Sequence, residues 1–294
     1  MARMRSLLYH FLVLVCLGGV WGCHSNLKAP PDMVLVQGGT FIMGSPSLEI
    51  DSLTAKYKFP KGYLQTEAPL HEVTVSTFWA DKYEVRNKDF KKFILANPEW
   101  QKERMQDLLP KGQYLKHWQG NNYPEGADNV PVYNISWHAA VAYCQWQQKR
   151  LPTEAEWEYM ASAGGKNQIF PWGNALPDST RANYYAHIGK AVKAGSYPPN
   201  PLGIHDLAGN LWEFVADEWA TDFYRKSPKD NPVNGTKTFD KKTLQKINSR
   251  RVVRGGSWGG SVVNLRVSFR DSHRPRHIVD HMGCRCVKDI AQKP

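Results

Sequence analysis

The pattern of apolar and polar residues changes character several times along the 294-residue chain. An almost continuous apolar run covers 7–20, which is too short to span a bilayer comfortably and is typical of the hydrophobic part of a signal peptide. The segment 33–45 alternates around a Gly-Gly pair and predicts two short strands, and the valines and phenylalanine of 72–79 predict another.

Helical periodicity predicts a few helices between long irregular segments. One helix is expected to begin near Asn87 and another to cover 137–149. A third should begin after Thr153, because Glu156 follows three residues later in a capping-box pattern, and Gly164 with Gly165 should end it. A few helices with many short strands and long loops predict an α+β domain with little regular structure.

The N-terminus combines the apolar run with a positive head at Arg3 and Arg5. The run ends at Val-Trp-Gly-Cys, and Cys23 in this setting resembles the lipidated cysteine of bacterial lipoproteins, although Trp21 stands where a small residue is usual. We therefore expect a lipid-anchored protein of the bacterial cell envelope that faces the periplasm, with the outer membrane favoured. Ordinary signal cleavage, which would give a soluble periplasmic protein, is the main alternative, and a retained N-terminal anchor is the other. The expected organisation is a signal peptide at 1–22, a lipidated tether at 23–32, a domain at 33–289 and a tail at 290–294.

The formal net charge is +11, and much of it lies in the segment 225–254. This segment mixes Lys, Asp, Asn and Pro, and we interpret it as a solvated surface insert; adhesion to anionic polymers or lipid is the alternative. No nucleic-acid motif accompanies the charge, so a nucleic-acid partner is not expected.

Ten motifs follow one another along the domain, among them Arg-Leu-Pro-Thr-Glu-Ala-Glu-Trp-Glu, Gly-Asn-Leu-Trp-Glu and Arg-Gly-Gly-Ser-Trp. In order they occupy 33–45, 67–75, 83–87, 131–137, 142–146, 150–159, 171–174, 203–213, 254–258 and 283–286. This series resembles the formylglycine-generating enzyme, or sulfatase-modifying factor, family over nearly the whole domain. The resemblance implies one compact α+β domain related to C-type lectins.

The resemblance also exposes a missing pair of thiols. In the catalytic branch of the family, two cysteines after the Arg-Gly-Gly-Ser-aromatic motif bind copper(I), which soft thiolates favour, and convert a substrate cysteine to formylglycine. Here the matching positions hold Gly260 and Leu265, and no cysteine occurs between Cys144 and Cys284. Formylglycine synthesis and a copper cofactor are therefore not expected.

Three cysteines remain in the domain. Cys144 and Cys286 match positions that often form a structural disulfide in the family, so the resemblance implies that bridge. Cys284 replaces the usual Phe of the Gly-Phe-Arg-Cys ending. Residues two apart on a strand share a face, so a bridge from Cys284 instead stays open on geometry alone. Its other interpretation is a small buried hydrophobic residue.

The resemblance implies one calcium site, held by the side chains of Asp206 and Glu213 and the backbone carbonyls of Gly209 and Leu211. Hard oxygen ligands on a glycine-containing turn suit Ca²⁺. The alternative is a turn in which both carboxylates accept hydrogen bonds from backbone amides.

Histidines recur every four residues at His273, His277 and His281, in a stretch that resembles the loop bordering the family's active cleft. Pro275 disfavours a continuous helix that would present them as one metal-binding face. Ser257 matches a residue of the same cleft. These residues are candidates for a catalytic site with an iron, copper or zinc ion, and a basic cleft wall or ordinary loop is the alternative.

Two functions from different classes are consistent with the sequence. The first is a non-catalytic scaffold or binding lipoprotein, whose partners would be envelope proteins of a motility- or secretion-type assembly, or a peptide or glycan ligand. The second is a cysteine-independent, metal-dependent periplasmic oxidoreductase, similar to relatives in siderophore maturation. The fold alone does not decide between them, because one fold can carry many functions.

Overall fold

The computed structural model describes residues 29–60, 62–105 and 108–290. The predicted signal peptide, the lipidation site at Cys23, most of the tether and the last four residues of the tail lie outside the described residues. None of the helices in the described ranges combines the length and the apolar character that crossing a membrane requires.

The described strands form three small sheets rather than one large one. The first sheet has the order β1-β4-β9, the second pairs β2 with β3, and the third has the order β7-β6-β5-β8. All pairings are antiparallel except that of β5 with β8. The strands are β1 Met33–Val36, β2 Gly39–Met43, β3 His71–Val75, β4 Phe78–Asp81, β5 Trp212–Glu218, β6 Arg251–Arg254, β7 Arg270–His273, β8 Met282–Gly283 and β9 Val287–Asp289.

The two strands predicted around the Gly-Gly pair are confirmed as β1 and β2. Gly38 is required there because a Cβ atom would lie 2.4 Å from the carbonyl oxygen of Val75. The single strand predicted over 72–79 is instead two strands, because the chain turns after Val75 and its two halves join different sheets. The Thr77 hydroxyl accepts a hydrogen bond from the Gly38 amide at 3.0 Å and fixes this crossing point.

The three predicted helices are present, together with an 11-residue helix at Ser47–Tyr57 that the sequence pattern did not predict and two helices of four residues. The helices are α1 Ser47–Tyr57, α2 Asn87–Ala96, α3 Lys102–Met105, α4 Trp137–Trp146, α5 Glu154–Ala161 and α6 Lys241–Leu244. The predicted capping box at Thr153 and Glu156 is confirmed. Long irregular segments lie between α3 and α4 and between α5 and β5. The α+β fold with little regular structure is therefore confirmed.

The hydrophobic core has two large clusters. One packs α2 and α4 against the segment that leads into β9, and the other packs α5 against β2, β3 and the interior of the third sheet. Cys144 of α4 and Cys286 form a disulfide within the first cluster, as the family resemblance implies. Cys284 is buried and carries a free thiol, so the alternative bridge does not form.

A network of buried ion pairs joins α5 to the third sheet. Arg254 donates hydrogen bonds to Glu154 at 3.1 Å and to Glu158, and Arg270 binds Glu154 with two of its nitrogens. Burial alone would raise the pKa of Glu154, yet Arg270 and Arg254 hold that pKa below its usual value. The charge of each carboxylate is therefore balanced by a guanidinium that is also buried.

The prediction that the whole segment 225–254 is a surface insert is wrong for its last four residues. Strand β6 is fully buried and lies between β5 and β7. Its two arginines are tolerated in the interior because Arg254 is paired with carboxylates and the Arg251 guanidinium lies 4.3 Å from the centroid of the Trp137 ring. A charge count cannot distinguish such paired arginines from solvated ones.

Candidate functional site

The turn that follows β6 is held by its backbone. The Trp258 amide donates to the Asn210 carbonyl at 2.8 Å, and the Trp258 and Gly260 carbonyls accept from the amides of Ala186 and Tyr185 at 2.7 and 2.8 Å. Three separate chain segments therefore converge at this turn. Its Ser257 is only 3% exposed, so the candidate cleft residue is covered rather than presented to a ligand.

The two positions that match the missing thiols differ in their surroundings. Gly260 lies in the turn and donates its amide to the Ser257 carbonyl at 2.8 Å. Leu265 is fully buried and packs in a small cluster with Phe170 and Tyr184. An apolar side chain thus fills the position of the second thiol, and neither position supplies a metal ligand from its side chain.

An open cleft of about 580 Å³ lies beside this turn. Aromatic and basic side chains dominate its walls, together with the carboxylate of Asp280; they are Lys116, His117, Tyr133, Lys190, Trp258 and His281. The rings of His117 and Tyr133 stack with centroids 3.8 Å apart. Burial lowers the pKa of His117 to about 4, so this imidazole is neutral at pH 7.

His273 is the last residue of β7, and His277 and His281 lie in the irregular loop that follows, as Pro275 predicts. The Nδ1 atoms of His273 and His277 lie 3.0 Å apart, and the ring centroid of His281 lies 6.4 Å from that of His273. The structure thus brings the three histidines together. It does not direct them into one cleft, because His281 lines the cleft beside Trp258, whereas His273 and His277 line a different one.

The histidine loop offers limited support for a metal centre. Among the described residues, no group of three or more His, Cys, Asp or Glu side chains is placed to hold a metal ion. Burial and the neighbouring His277 lower the pKa of His273 to about 4, which keeps its imidazole neutral at pH 7. The His273–His277 pair offers at most two ligands, and Ser257 takes no part in it.

The predicted calcium turn has the backbone shape that its sequence requires. Asp206 and Asn210 have positive φ, and Gly209 is needed because a Cβ atom would lie 2.3 Å from the Asn183 carbonyl oxygen. One oxygen of Asp206 accepts the Gly195 amide at 2.6 Å, while its Oδ1 is buried without a hydrogen-bond partner. That free oxygen is available to a cation.

Glu213 has a different environment. Its two oxygens bind the Arg285 guanidinium, and the Trp157 indole donates to it at 2.8 Å. The alternative interpretation, in which both carboxylates bond backbone amides, therefore holds for Asp206 and fails for Glu213.

A third carboxylate, Glu84, was not expected at this site. It accepts the Leu211 amide at 3.1 Å and the Asn210 side chain at 2.7 Å. Burial, together with the charges of Asp206 and Glu213, raises its pKa well above the usual value, and burial is the main cause that raises the pKa of Asp206 to about 6. Glu84 belongs to the motif 83–87, which is visible in the sequence. No feature of that motif connects Glu84 to the Asp206 turn, which lies more than a hundred residues away.

The fit to calcium is therefore partial, since these three carboxylates are not placed as a metal-binding group in the described structure. Three buried carboxylates, Glu84, Asp206 and Glu213, lie near the single guanidinium of Arg285, which donates hydrogen bonds to Glu213 alone among them. This excess of negative charge and the free Asp206 oxygen suit a hard cation, whereas the engagement of Glu213 with Arg285 leaves it less available. An ion bound at this turn would hold the chain in place, and no chemical step depends on it.

The fold and the cleft define a class of protein: a small α+β domain whose Gly- and Trp-rich turns surround an aromatic, basic cleft. The chain matches the family model described as "Sulfatase-modifying factor enzyme 1-like domain" over residues 23–290. The chain belongs to this family, and the family assignment made from the ten motifs is confirmed.

Relatives of the chain include proteins named formylglycine-generating enzyme and proteins whose names call them inactive. It is 31% identical over 303 residues to the formylglycine-generating enzyme of Mus musculus, covering 87% of this chain and 75% of that protein. It is 30% identical over 333 residues to the inactive C-alpha-formylglycine-generating enzyme 2 of Bos taurus, covering 96% of each. Among solved structures it resembles PvdO from Pseudomonas aeruginosa with a TM-score of 0.66, 24% identity and coverage of 88% and 94%, which supports the fold.

Proposed function

We propose that this protein is a non-catalytic binding member of the family, and that it holds a peptide segment of an envelope protein in the cleft beside Trp258. The observation that carries the proposal is an open cleft of about 580 Å³ next to a turn whose thiol positions hold Gly260 and the buried Leu265. The cleft is open, while the thiol positions beside it lack the groups that would perform the family's copper chemistry. The relative from Bos taurus is likewise named inactive.

The walls of the cleft favour an acidic segment. Lys116 and Lys190 are exposed, and neither has a carboxylate within 4.0 Å among the described residues. Trp258 and the stacked His117–Tyr133 pair add flat apolar surfaces on which a peptide side chain can pack. Unpaired cations at the rim attract and orient an acidic partner, while the aromatic rings supply contact area.

The proposal is tested by cross-linking from inside the cleft. A photo-reactive amino acid placed at Gln113, which lines the cleft, is expected to capture a defined envelope protein in cells. Lys190→Glu should reduce that adduct at least about tenfold, because it places like charges in contact. Lys193→Glu is the matched control, since Lys193 is exposed on the same loop and does not line the cleft, and it should leave the adduct unchanged.

Two results would contradict the proposal. One is an adduct that responds equally to both lysine changes. The other is turnover of a cysteine-containing peptide to formylglycine by the purified protein supplied with copper and oxygen.

We also propose that the protein is anchored to the bacterial envelope by a lipid on Cys23 and serves a motility- or secretion-type assembly there. The apolar run at 7–20 and the Val-Trp-Gly-Cys sequence support this location. Metabolic labelling with a palmitate analogue should mark the wild-type protein and not Cys23→Ala. Soluble, unlabelled wild-type protein in the periplasm would instead indicate ordinary signal cleavage.

Calcium is proposed as a structural ion at the Asp206 turn. Calcium should raise the melting temperature of the purified protein by several degrees at a concentration near 100 times its Kd, which corresponds to about 2.7 kcal/mol. Asp206→Asn should abolish this increase, because it removes the charge of the carboxylate with the free buried oxygen. Asp178→Asn, at an exposed carboxylate, is the control and should retain the increase. An equal response of both variants would place the ion elsewhere.

The oxidoreductase alternative retains one supporting observation, the 3.0 Å approach of the His273 and His277 Nδ1 atoms. Metal analysis of the purified protein separates the two functions. About one equivalent of iron or copper that is lost in His277→Ala would favour the oxidoreductase, whereas background metal in both proteins favours the binding function.

A further inference from the structure

The arginines of this protein are distributed unevenly between paired and unpaired states. Most described arginines lie within 4.0 Å of a carboxylate, namely Arg86, Arg150, Arg181, Arg251, Arg254, Arg266, Arg270 and Arg285. The described arginines without such a partner are Arg104, Arg225, Arg250, Arg274 and Arg276. Three members of this second group line one pocket, so most of the described arginines without a carboxylate partner lie together on the surface.

That pocket lies beside the histidine loop and has a volume of about 600 Å³. Arg250, Arg274 and Arg276 surround it, together with His273, His277, Asp271, Ser272 and Pro110. It shares no lining residue with the cleft assigned to the peptide. A ligand here would therefore contact a separate set of groups.

Hydrogen bonds to uncharged acceptors hold two of the arginines in place. Arg250 donates to the hydroxyl and the carbonyl oxygen of Ser272, and Arg276 donates to the carbonyls of Leu108 and Gln245 at 2.8 and 2.6 Å. These contacts orient the guanidinium groups without neutralising them, since every acceptor is uncharged. Arg274 is exposed and makes no hydrogen bond from its side chain within the described part of the chain.

The charge of the pocket indicates the charge of its ligand. Three guanidinium groups and the carboxylate of Asp271 give the pocket a formal charge of +2 before the histidines are counted. The Asp271 carboxylate is itself engaged at the edge, where it accepts the Tyr63 hydroxyl at 3.0 Å. A phosphate monoester carries about −1.5 to −2 at pH 7 and offers three acceptor oxygens, so it matches this charge better than a carboxylate does.

We propose that this pocket binds a phosphate monoester carried by a small organic molecule. Guanidinium groups recognise phosphate through paired N–H donors, and an imidazole ring can supply a further donor. The volume exceeds that of a phosphate alone, which leaves room for an attached organic group against Pro110 and the His277 ring. The inference goes beyond the binding function proposed above and does not depend on it.

The experiment uses isothermal titration calorimetry of the purified protein with inorganic phosphate, glycerol 3-phosphate and acetate. Glycerol 3-phosphate is expected to bind at least about tenfold more tightly than acetate, because the dianion neutralises the pocket. Arg274→Glu should weaken the binding of glycerol 3-phosphate at least about tenfold. Arg225→Glu is the matched control, since Arg225 is exposed and unpaired but lies outside the pocket, and it should change the affinity less than about twofold.

Each outcome decides the question. Weaker binding in Arg274→Glu alone supports the pocket, and tighter binding of glycerol 3-phosphate than of inorganic phosphate supports the attached organic group. Equal weakening in both variants would show a diffuse effect of net charge, and equal affinity for acetate would exclude the dianion; either result overturns the proposal. Absence of binding to all three probes at roughly 10 mM, well above the usual range of metabolite affinities, also overturns it. Peptide capture by the Trp258 cleft stays measurable in Arg274→Glu, so failure of one site is distinguishable from failure of the other.

Discussion

Arg254→Met is expected to lower the free energy of unfolding by about 3–5 kcal/mol, because it removes one partner from a buried ion-pair network. Arg254 is fully buried, and it donates to Glu154, to Glu158 and to the carbonyl oxygens of Val267 and Ser268. Methionine retains much of the volume and none of the donors. Glu158 would then keep a buried charge without a guanidinium partner, a cost that the protein can avoid only by protonating the carboxylate or by admitting water.

The matched control for this change is Arg181→Met. Arg181 pairs with Asp178 at 3.0 Å, but the two side chains are 38% and 51% exposed. Exposed pairs contribute about 0–1 kcal/mol, so this variant should unfold almost as the wild type does. Urea denaturation measures both, and a loss in Arg254→Met no larger than that in Arg181→Met would contradict the role assigned to the network.

Replacement of both Cys144 and Cys286 by alanine should cost about 4–5 kcal/mol of unfolding free energy. The disulfide joins residues 142 apart in sequence, and a cross-link over so long a loop restricts the unfolded chain strongly. The two cysteines are fully buried. Because alanine is apolar, the replacement introduces no polar group into the core. The loss should appear as a lower urea midpoint in non-reducing buffer.

Cys284→Ala is the control for the disulfide, because Cys284 is equally buried but carries a free thiol. It removes one sulfur atom and no cross-link, and we expect a loss of about 1 kcal/mol. A loss in Cys284→Ala equal to that of the double variant would show that packing around the sulfur atoms, rather than the bridge, accounts for the effect.

Local sequence features predicted the elements of this fold better than their assembly. The capping box at Thr153 and the Gly-Gly pair before β2 act within a few residues, so the sequence alone was enough to identify them. The division of 72–79 between two sheets depends on pairing with β1 and β9, which lie far away in sequence. The burial of β6 depends on carboxylates of α5, so its arginines suggested a surface position that the packing contradicts.

The same distinction applies to the sites. The missing thiols at Gly260 and Leu265 followed from counting along one motif, and the implied Cys144–Cys286 bridge followed from the family. The contribution of Glu84 to the Asp206 turn could not be predicted, since it arises from contacts between distant motifs. The histidine spacing likewise indicated a cluster, but only the tertiary structure shows that its members face two clefts.

The sheet order β1-β4-β9 has a consequence for how the chain can be made and folded. Strand β4 lies between the first and the last described strands, so this sheet stays open at one side until Val287–Asp289 has been synthesised. Pairings over such distances form late, because the cost of closing the intervening loop precedes any gain from contact. Synthesis from the N-terminus therefore yields a chain that stays incompletely folded until Val287–Asp289 emerges.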